Sequence, residues 1–122
     1  MDRPPARPSG SASTPAGQGN ARSVRVLRRP RFLEDLYEAY AWIAADSERA
    51  AERLLDQVEA AIDRLQQYPL AGAPRENLTP GLRSVRAAPF RHLIFYRVTG
   101  EDIVLIRLLH GVRNLSQQND WT

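Results

Sequence analysis

Apolar and polar residues alternate in three short segments in the second half of the chain. The segments Leu82–Ala88, Arg91–Val98 and Ile103–His110 are rich in Val, Ile, Leu, Phe and Tyr, the residues that favour a pleated, half-buried surface. Pro89 interrupts the chain between the first two segments, and Gly100 in the tetrapeptide TGED allows a tight turn between the last two. The alternation therefore predicts an antiparallel meander of three strands.

A different spacing, in which apolar residues recur every three or four positions, predicts two helices before the meander. The first begins at Pro30, which suits the first turn of a helix, and ends at about Ala45. The second runs from about Glu48 to Tyr68, and Ser47 is expected to cap its N-terminus. Because only a residue or two separate them, the helices are expected to form an antiparallel hairpin. The apolar stripes consist of Leu33, Leu36, Tyr37, Tyr40, Ile43 and Ala44 in the first helix and Ala51, Leu54, Leu55, Val58, Ile62 and Leu65 in the second.

These elements together predict one α+β domain over residues 24–113. A short apolar strand at Val24–Leu27 precedes the helices, and Leu70–Pro80 is expected to be a loop. The expected order is β-α-α-β-β-β, with the helical hairpin packed on one face of a small, mainly antiparallel sheet. Residues 1–23 are rich in Pro, Gly, Ser and Ala and are expected to form a disordered tail, because they hold too little apolar surface to offset the entropy of ordering. Residues 114–122 are expected to form a polar C-terminal tail.

The composition argues against several kinds of site and location. The chain has 122 residues, no cysteine and only two histidines, His92 and His110, so neither a disulfide framework nor a metal centre is expected, and no cofactor is expected. No apolar run approaches the roughly 18 residues that a membrane span needs. The arginine-containing N-terminus lacks the hydrophobic region of a secretory signal. The expectation is a cytoplasmic protein without membrane association.

The charges are unevenly distributed along the chain. All 17 basic residues are arginines, which is also what codon bias in a GC-rich genome would produce. Arginine stays charged at any relevant pH, so none of these side chains can act as a general base. Glu34–Arg64 holds nine acidic residues and three arginines, whereas Arg75–Arg113 holds seven arginines and three acidic residues. The opposite signs of the two halves favour a separate partner for each.

Alternation also sorts the side chains of the meander onto two faces, provided that neither turn contains a bulge. The expected register places Arg83 opposite Tyr96 and Arg91 opposite His110. The face expected to lie under the helices carries Leu93, Phe95, Val104, Ile106 and Leu108. The face expected to stay open carries Arg83, Val85, His92, Ile94, Tyr96, Leu105 and Arg107. Guanidinium groups beside a tyrosine ring can bind phosphates or carboxylates, although solvated arginines on an ordinary sheet face would give the same pattern.

Three different short motifs follow one another in a fixed order through the meander. They are GLR at 81–83, FYRV at 95–98 and LHGVR at 109–113, and they follow the helix start RPRFLEDLYEAYAWIA and the helix end LQQYPLAGAPR. This ordered set resembles the RelE/ParE family of bacterial toxins over roughly Val24 to Arg113, and within it the ParE-like branch. The resemblance implies the toxin of a type II toxin–antitoxin system, which a ParD-like antitoxin neutralises and which inhibits DNA gyrase without catalysis of its own.

The resemblance and the expected faces together suggest two sets of contact residues. The guanidinium-rich open face would bind the target, and exposed apolar side chains of the first helix would bind the antitoxin. The acidic residues of the hairpin would either be solvated or receive basic residues of the antitoxin. The expected target contacts are Arg83, Tyr96, Arg107 and Arg113, and the expected antitoxin contacts are Phe32, Tyr37 and Trp42.

The RelE branch supplies the alternative, a ribosome-dependent mRNA endonuclease. Cleavage of RNA through its 2′-hydroxyl needs a proton acceptor, a proton donor and cations on the phosphate. Arg83, His110 and Arg113 are the candidates here, and His110 is the one whose ordinary pKa suits proton transfer. The chain has no lysine and no tyrosine in its C-terminal segment, both of which the RelE pattern uses. Direct binding of nucleic acid is expected only under this alternative.

Overall fold

The computed structural model describes residues 24–111 and Trp121, and it contains two helices and five strands in that part of the chain. The predicted order of strand, two helices and three strands is confirmed, with one addition, a two-residue strand inside the expected loop. The expected tails and Arg113 lie outside the described residues, apart from Trp121. The elements are β1 (Arg25–Arg28), α1 (Pro30–Ala44), α2 (Glu48–Gln67), β2 (Ala73–Pro74), β3 (Leu82–Arg86), β4 (His92–Thr99) and β5 (Asp102–His110).

The two helices start and stop where the local chemistry requires. Pro30 occupies the first turn of α1, where its missing N–H has no partner to lose. The Ser47 hydroxyl accepts a hydrogen bond from the Ala50 N–H at 3.1 Å and caps α2, as predicted. Helix α2 buries a long stripe, whereas α1 fully buries only Phe32 and Asp35. Helix α1 therefore leaves much of its apolar surface outside the core.

The strands form one mixed sheet in the order β1-β5-β4-β3-β2. Strand β1 runs parallel to β5, and the other neighbours are antiparallel. Gly100, with φ of +62°, closes the turn between β4 and β5. In this strand order, β5 and β4 lie inside the sheet, away from the short edge strands β1 and β2. They therefore contribute most of the residues on which the other elements pack.

A β-bulge shifts the register of β4 and β5 part of the way along the pair. Tyr96 pairs with Leu105 as the turn predicts, but Phe95 pairs with Arg107, so that Ile106 is the extra residue. The predicted pairing of Arg91 with His110 is therefore wrong, and His92 lies opposite His110 instead. The predicted pairing of Arg83 with Tyr96 lies outside the bulge and is confirmed.

The prediction of which face the helices cover is wrong. The helices pack on the face that carries Ile94, Tyr96 and Leu105, and the bulge adds Leu108 to it. Both faces are apolar, so alternation separates the two sets of residues without indicating which set meets the helices. The core under the helices consists of Phe32, Leu54, Val58, Ala61, Ile62, Leu65, Ala87, Ile94, Tyr96, Ile103, Leu105 and Leu108. A second cluster on the other face consists of Leu82, Leu93, Phe95, Val104, Ile106 and Trp121.

Candidate functional site

Tyr96, expected on an open face, lies completely buried beneath the helices. Its hydroxyl donates a hydrogen bond to the Pro69 carbonyl at 2.8 Å and accepts one from the Gly72 N–H at 2.8 Å. Burial raises the pKa of Tyr96 above its ordinary value, because the phenolate would lose its solvation. Its expected exposure as a target contact is wrong, and the side chain holds the loop between α2 and β3 instead.

Arg83 contacts the same loop from the neighbouring strand. Its Nη1 donates to the carbonyl oxygens of Leu70 at 3.0 Å and Gly72 at 2.8 Å, and the side chain is half-buried. A Cβ at Gly72 would lie 2.5 Å from the Tyr96 hydroxyl, so this position has no room for a side chain. The Arg83–Tyr96 pair is thus a clamp on the loop backbone. A role of Arg83 in target binding stays a prediction.

Arg107, also expected on the open face, is buried in an ion pair with α1. Its side chain is 4% exposed, its Nε lies 2.7 Å from Asp35 Oδ2, and its Nη2 lies 3.1 Å from Asp35 Oδ1. The Leu108 N–H donates to the same carboxylate at 3.0 Å. The expected exposure of Arg107 is therefore wrong. Asp35 was predicted only as part of the acidic surface, and Phe32, which lies on the same helix face three residues earlier, was itself expected to be exposed, so the sequence pattern did not mark this face as inward.

The three residues expected for a nuclease site do not converge among the described residues. Exposed His110 pairs with His92 at one end of the sheet, and their rings meet edge to face with centroids 4.9 Å apart. Arg83 pairs with Tyr96, four positions along β4 from His92, or about 13 Å along the strand. Arg113 lies outside the described residues. Burial lowers the pKa of His92, and the charge of His110 lowers it further.

Two of the three expected antitoxin contacts are on the surface. Tyr37 is 74% exposed and Trp42 is 83% exposed. Phe32 is fully buried in the core, so its expected exposure is wrong. It occupies the inward position of α1, where an aromatic ring fills the space between both helices and the sheet.

Helix α1 lies between two depressions on the surface. One is an apolar groove of about 340 Å³ between α1 and α2, lined by Leu33, Leu36, Tyr37, Tyr40 and Leu55. The other is a mixed cleft of about 570 Å³ between α1 and the end of β5, and Trp42 stands on its rim beside Glu38 and His110. The buried Asp35–Arg107 pair contributes to the lining of the cleft. Depressions that a partner could enter thus lie on both sides of α1.

The described part of the chain offers neither a cluster of metal ligands nor a membrane-spanning helix. In residues 24–111 and Trp121, no three His, Cys, Asp or Glu residues come close enough to hold a metal ion. Neither of the two helices found there is long and apolar enough to cross a bilayer.

Comparison with known proteins agrees with the arrangement of strands and helices. Residues 26–115 match the family described as "ParE toxin of type II toxin-antitoxin system, parDE". Toxin ParE3 of Caulobacter vibrioides is 33% identical over 95 residues, which cover 77% of this chain and 93% of ParE3. Toxin ParE2 of Mycobacterium tuberculosis is 34% identical over 93 residues, which cover 75% of this chain and 86% of ParE2.

The fold also matches a solved structure. A chain of the chromosomal ParDE TA system from P. aeruginosa aligns with a TM-score of 0.63 at 19% sequence identity, over 75% of this chain and 100% of the other. The ordered motifs, the helical hairpin on a five-stranded sheet and the match over residues 26–115 agree with one another. The chain belongs to the ParE toxin family of type II toxin–antitoxin systems.

Proposed function

We propose that this toxin is neutralised by a ParD-like antitoxin that binds the exposed side of α1, and that it inhibits DNA gyrase by binding rather than by catalysis. The observation that carries the antitoxin site is the apolar groove between α1 and α2, next to the strongly exposed Tyr37. An uncovered apolar surface of this kind, rimmed by polar residues, is typical of a protein-binding site.

The shape of the groove favours an amphipathic helix as its occupant. Four α1 side chains spaced three and four residues apart, together with Leu55 of α2, line the groove, a pattern that suits residues spaced three and four apart on a partner helix. Exposed acidic residues lie on the two helices that form the groove, so the flanks of the partner helix are expected to be basic. On α1 and α2 they include Glu34, Glu52 and Asp56. Tyrosine and tryptophan often carry most of the binding energy at such interfaces, which points to Tyr37 in the groove and to Trp42 at the cleft, which the antitoxin would reach by continuing across α1.

The proposal of a binding mode without catalysis is supported by the spacing of the polar side chains. His110 has no arginine of the RelE pattern beside it among the described residues, since Arg83 clamps the loop between α2 and β3. A proton donor and a phosphate-binding cation about 13 Å apart along the strand cannot act on one phosphodiester. Family membership then favours gyrase as the target, which would place the protein in the cytoplasm.

The antitoxin site can be tested with two surface substitutions and a matched control. The partner is the ParD-like protein encoded by the neighbouring reading frame, and calorimetry measures its affinity. Tyr37→Ala and Trp42→Ala are each expected to weaken binding by about 10- to 100-fold, as for truncated aromatic anchors. Tyr68→Ala removes another exposed tyrosine, which lies outside both depressions, and should leave the affinity unchanged. Equal affinities for all four proteins would contradict this site.

The target can be tested separately from the antitoxin. Purified toxin at a stoichiometric ratio to gyrase is expected to inhibit supercoiling, and addition of the antitoxin should restore it. Transcripts from expressing cells are expected to remain intact. Unimpaired supercoiling together with cleaved messages would replace the gyrase proposal with the endonuclease.

A further inference from the structure

The sheet face that carries no helix contains a small pocket next to the second apolar cluster. Arg97 and Thr99 of β4 line it, together with Val104 and Ile106 of β5. Arg29 closes the pocket at the sheet edge, where its backbone N–H donates to the Leu105 carbonyl at 3.0 Å and continues the pairing of β1. The pocket has a volume of about 280 Å³, which is enough for a small ion or one group of a larger ligand.

The lining of this pocket carries two positive charges and no acidic side chain. Asp102 pairs with Thr99 across the turn, and Arg25 already holds its carboxylate by two hydrogen bonds of 3.1 and 3.0 Å. The ion pairs of the described residues otherwise join Arg28 to Glu59 and both Arg31 and Arg107 to Asp35. Within residues 24–111, then, Arg29 and Arg97 have no carboxylate partner.

Arg97 is held in place without being neutralised. Its Nη2 donates to the Trp121 carbonyl at a long distance of 3.3 Å, and its buried Nε has no acceptor in the described part of the chain. The Trp121 ring packs against Phe95 with centroids 4.9 Å apart and belongs to the second apolar cluster. A cation fixed in this way lacks the acceptors that such groups normally have.

We propose that Arg29, Arg97 and Thr99 form a phosphate-binding site. Two guanidinium groups and one hydroxyl supply donors from three separate positions, which suits a tetrahedral group with several acceptor oxygens and a charge near −2. A carboxylate has only two oxygens, and a single arginine fork satisfies it. The floor of Val104 and Ile106 excludes water from one side of the pocket and strengthens the attraction between the charges.

Phosphate binding can be measured on the full chain by thermal unfolding at constant ionic strength. Inorganic phosphate should raise the unfolding midpoint in a saturable way, because a ligand that binds only the folded state stabilises it by mass action. Acetate at the same ionic strength should not raise the midpoint. Side-chain ¹H–¹⁵N spectra provide a direct readout, in which the Arg97 Nε–H resonance should move with phosphate concentration.

The variants separate a specific site from a general effect of salt. Arg29→Gln should leave the midpoint without phosphate unchanged, because Arg29 is exposed, and should weaken phosphate binding by about tenfold, the loss of one charge-assisted hydrogen bond. Arg97→Gln should do the same if it folds. The control is Arg53→Gln, which removes an exposed arginine of α2 and should bind phosphate like the parent chain.

Two further outcomes complete the test. A short oligothymidylate that binds more tightly than inorganic phosphate would identify phosphate esters as the ligand, and equal affinities would identify the free ion; both support the site. Equal stabilisation by phosphate and acetate, or equal stabilisation of the parent chain and Arg29→Gln by phosphate, would overturn it.

Discussion

The two faces of the sheet hold arginines of the same kind in opposite electrostatic situations. Next to the helices, Arg107 is buried against Asp35 of α1 in a two-point ion pair, and Arg83 donates to carbonyls of the loop after α2. On the other face, Arg97 has a single long hydrogen bond, and Arg29 has no carboxylate partner among the described residues. The difference shows that an arginine's availability depends on which acceptors the fold brings to it, and not on its place in an apolar strand.

The faces also differ in how they are covered. Two helices with a continuous apolar stripe cover one face. On the other face, Trp121 is the one residue of the described cluster that follows the last strand of the meander. A face covered by few groups depends strongly on each of them. Removal of a single covering or pairing group should therefore affect the stability of the two faces to different extents.

The largest effect is expected on the helix-covered face, at Asp35. Asp35→Ala leaves the buried Arg107 guanidinium without its carboxylate and the Leu108 N–H without its acceptor, so the free energy of unfolding should fall by about 3–5 kcal/mol. Urea denaturation measures the change. Glu34→Ala removes an exposed neighbour on the same helix and should stay within about 0.5 kcal/mol of the parent. A loss below 1 kcal/mol for Asp35→Ala would mean that the pair does not hold α1 to β5.

An intermediate effect is expected on the opposite face, at Trp121. Its side chain is 5% exposed and packs on Phe95, so Trp121→Ala should lower the free energy of unfolding by about 2–3 kcal/mol through lost apolar burial. Trp42→Ala is the matched control, because Trp42 is 83% exposed and its removal should change stability little. Increased binding of a hydrophobic dye to Trp121→Ala would show that the second apolar cluster has become accessible. Identical unfolding curves for the parent chain and Trp121→Ala would show that Trp121 does not cover this face.

The smallest effect is a dependence of stability on pH that originates at His92. Burial, and then the charge of His110, lower the pKa of His92 in the folded state, so the unfolded state binds a proton more readily. The stabilisation is complete above the unfolded pKa of about 6.5 and is lost as the pH falls below it, with a slope of at most about 1.4 kcal/mol per pH unit. Urea denaturation between about pH 7.5 and 5.5 measures this slope, a window chosen above the ordinary carboxyl range.

His92→Phe should flatten this dependence, because it removes the proton-binding group but keeps a ring of similar size. His110→Gln should reduce the dependence without abolishing it, since the charge of His110 is the smaller of the two causes and burial is the larger. The same slope in the parent chain and in His92→Phe would assign the titration to another group.

Much of the fold followed from local patterns. The spacing of apolar residues predicted both helices, Ser47 predicted the start of α2, and Gly100 predicted the turn between β4 and β5. These features depend on residues close together in the chain, so the sequence contains the information directly. The motifs from GLR to LHGVR likewise sufficed to indicate the ParE toxin family.

The site residues were harder to predict, since their roles depend on distant partners. Tyr37 and Trp42 were placed on the surface as expected, but Phe32, Tyr96 and Arg107 were not. Tyrosine and arginine fit an open, ligand-binding face and a buried, hydrogen-bonded one equally well. Only the loop carbonyls beyond α2 and the carboxylate of Asp35 distinguish the two.

The sequence by itself determined the elements, their order and the division of the meander into two sets of side chains, because these depend on periodicity and on turn chemistry. The tertiary structure alone decided which set lies under the helices, where Ile106 bulges and which arginines keep an unneutralised charge. The physical reason is that both sets are apolar enough to form a core. The choice between them therefore rests on how Tyr96, Arg83 and Arg107 find hydrogen-bond acceptors more than 10 residues away in the chain.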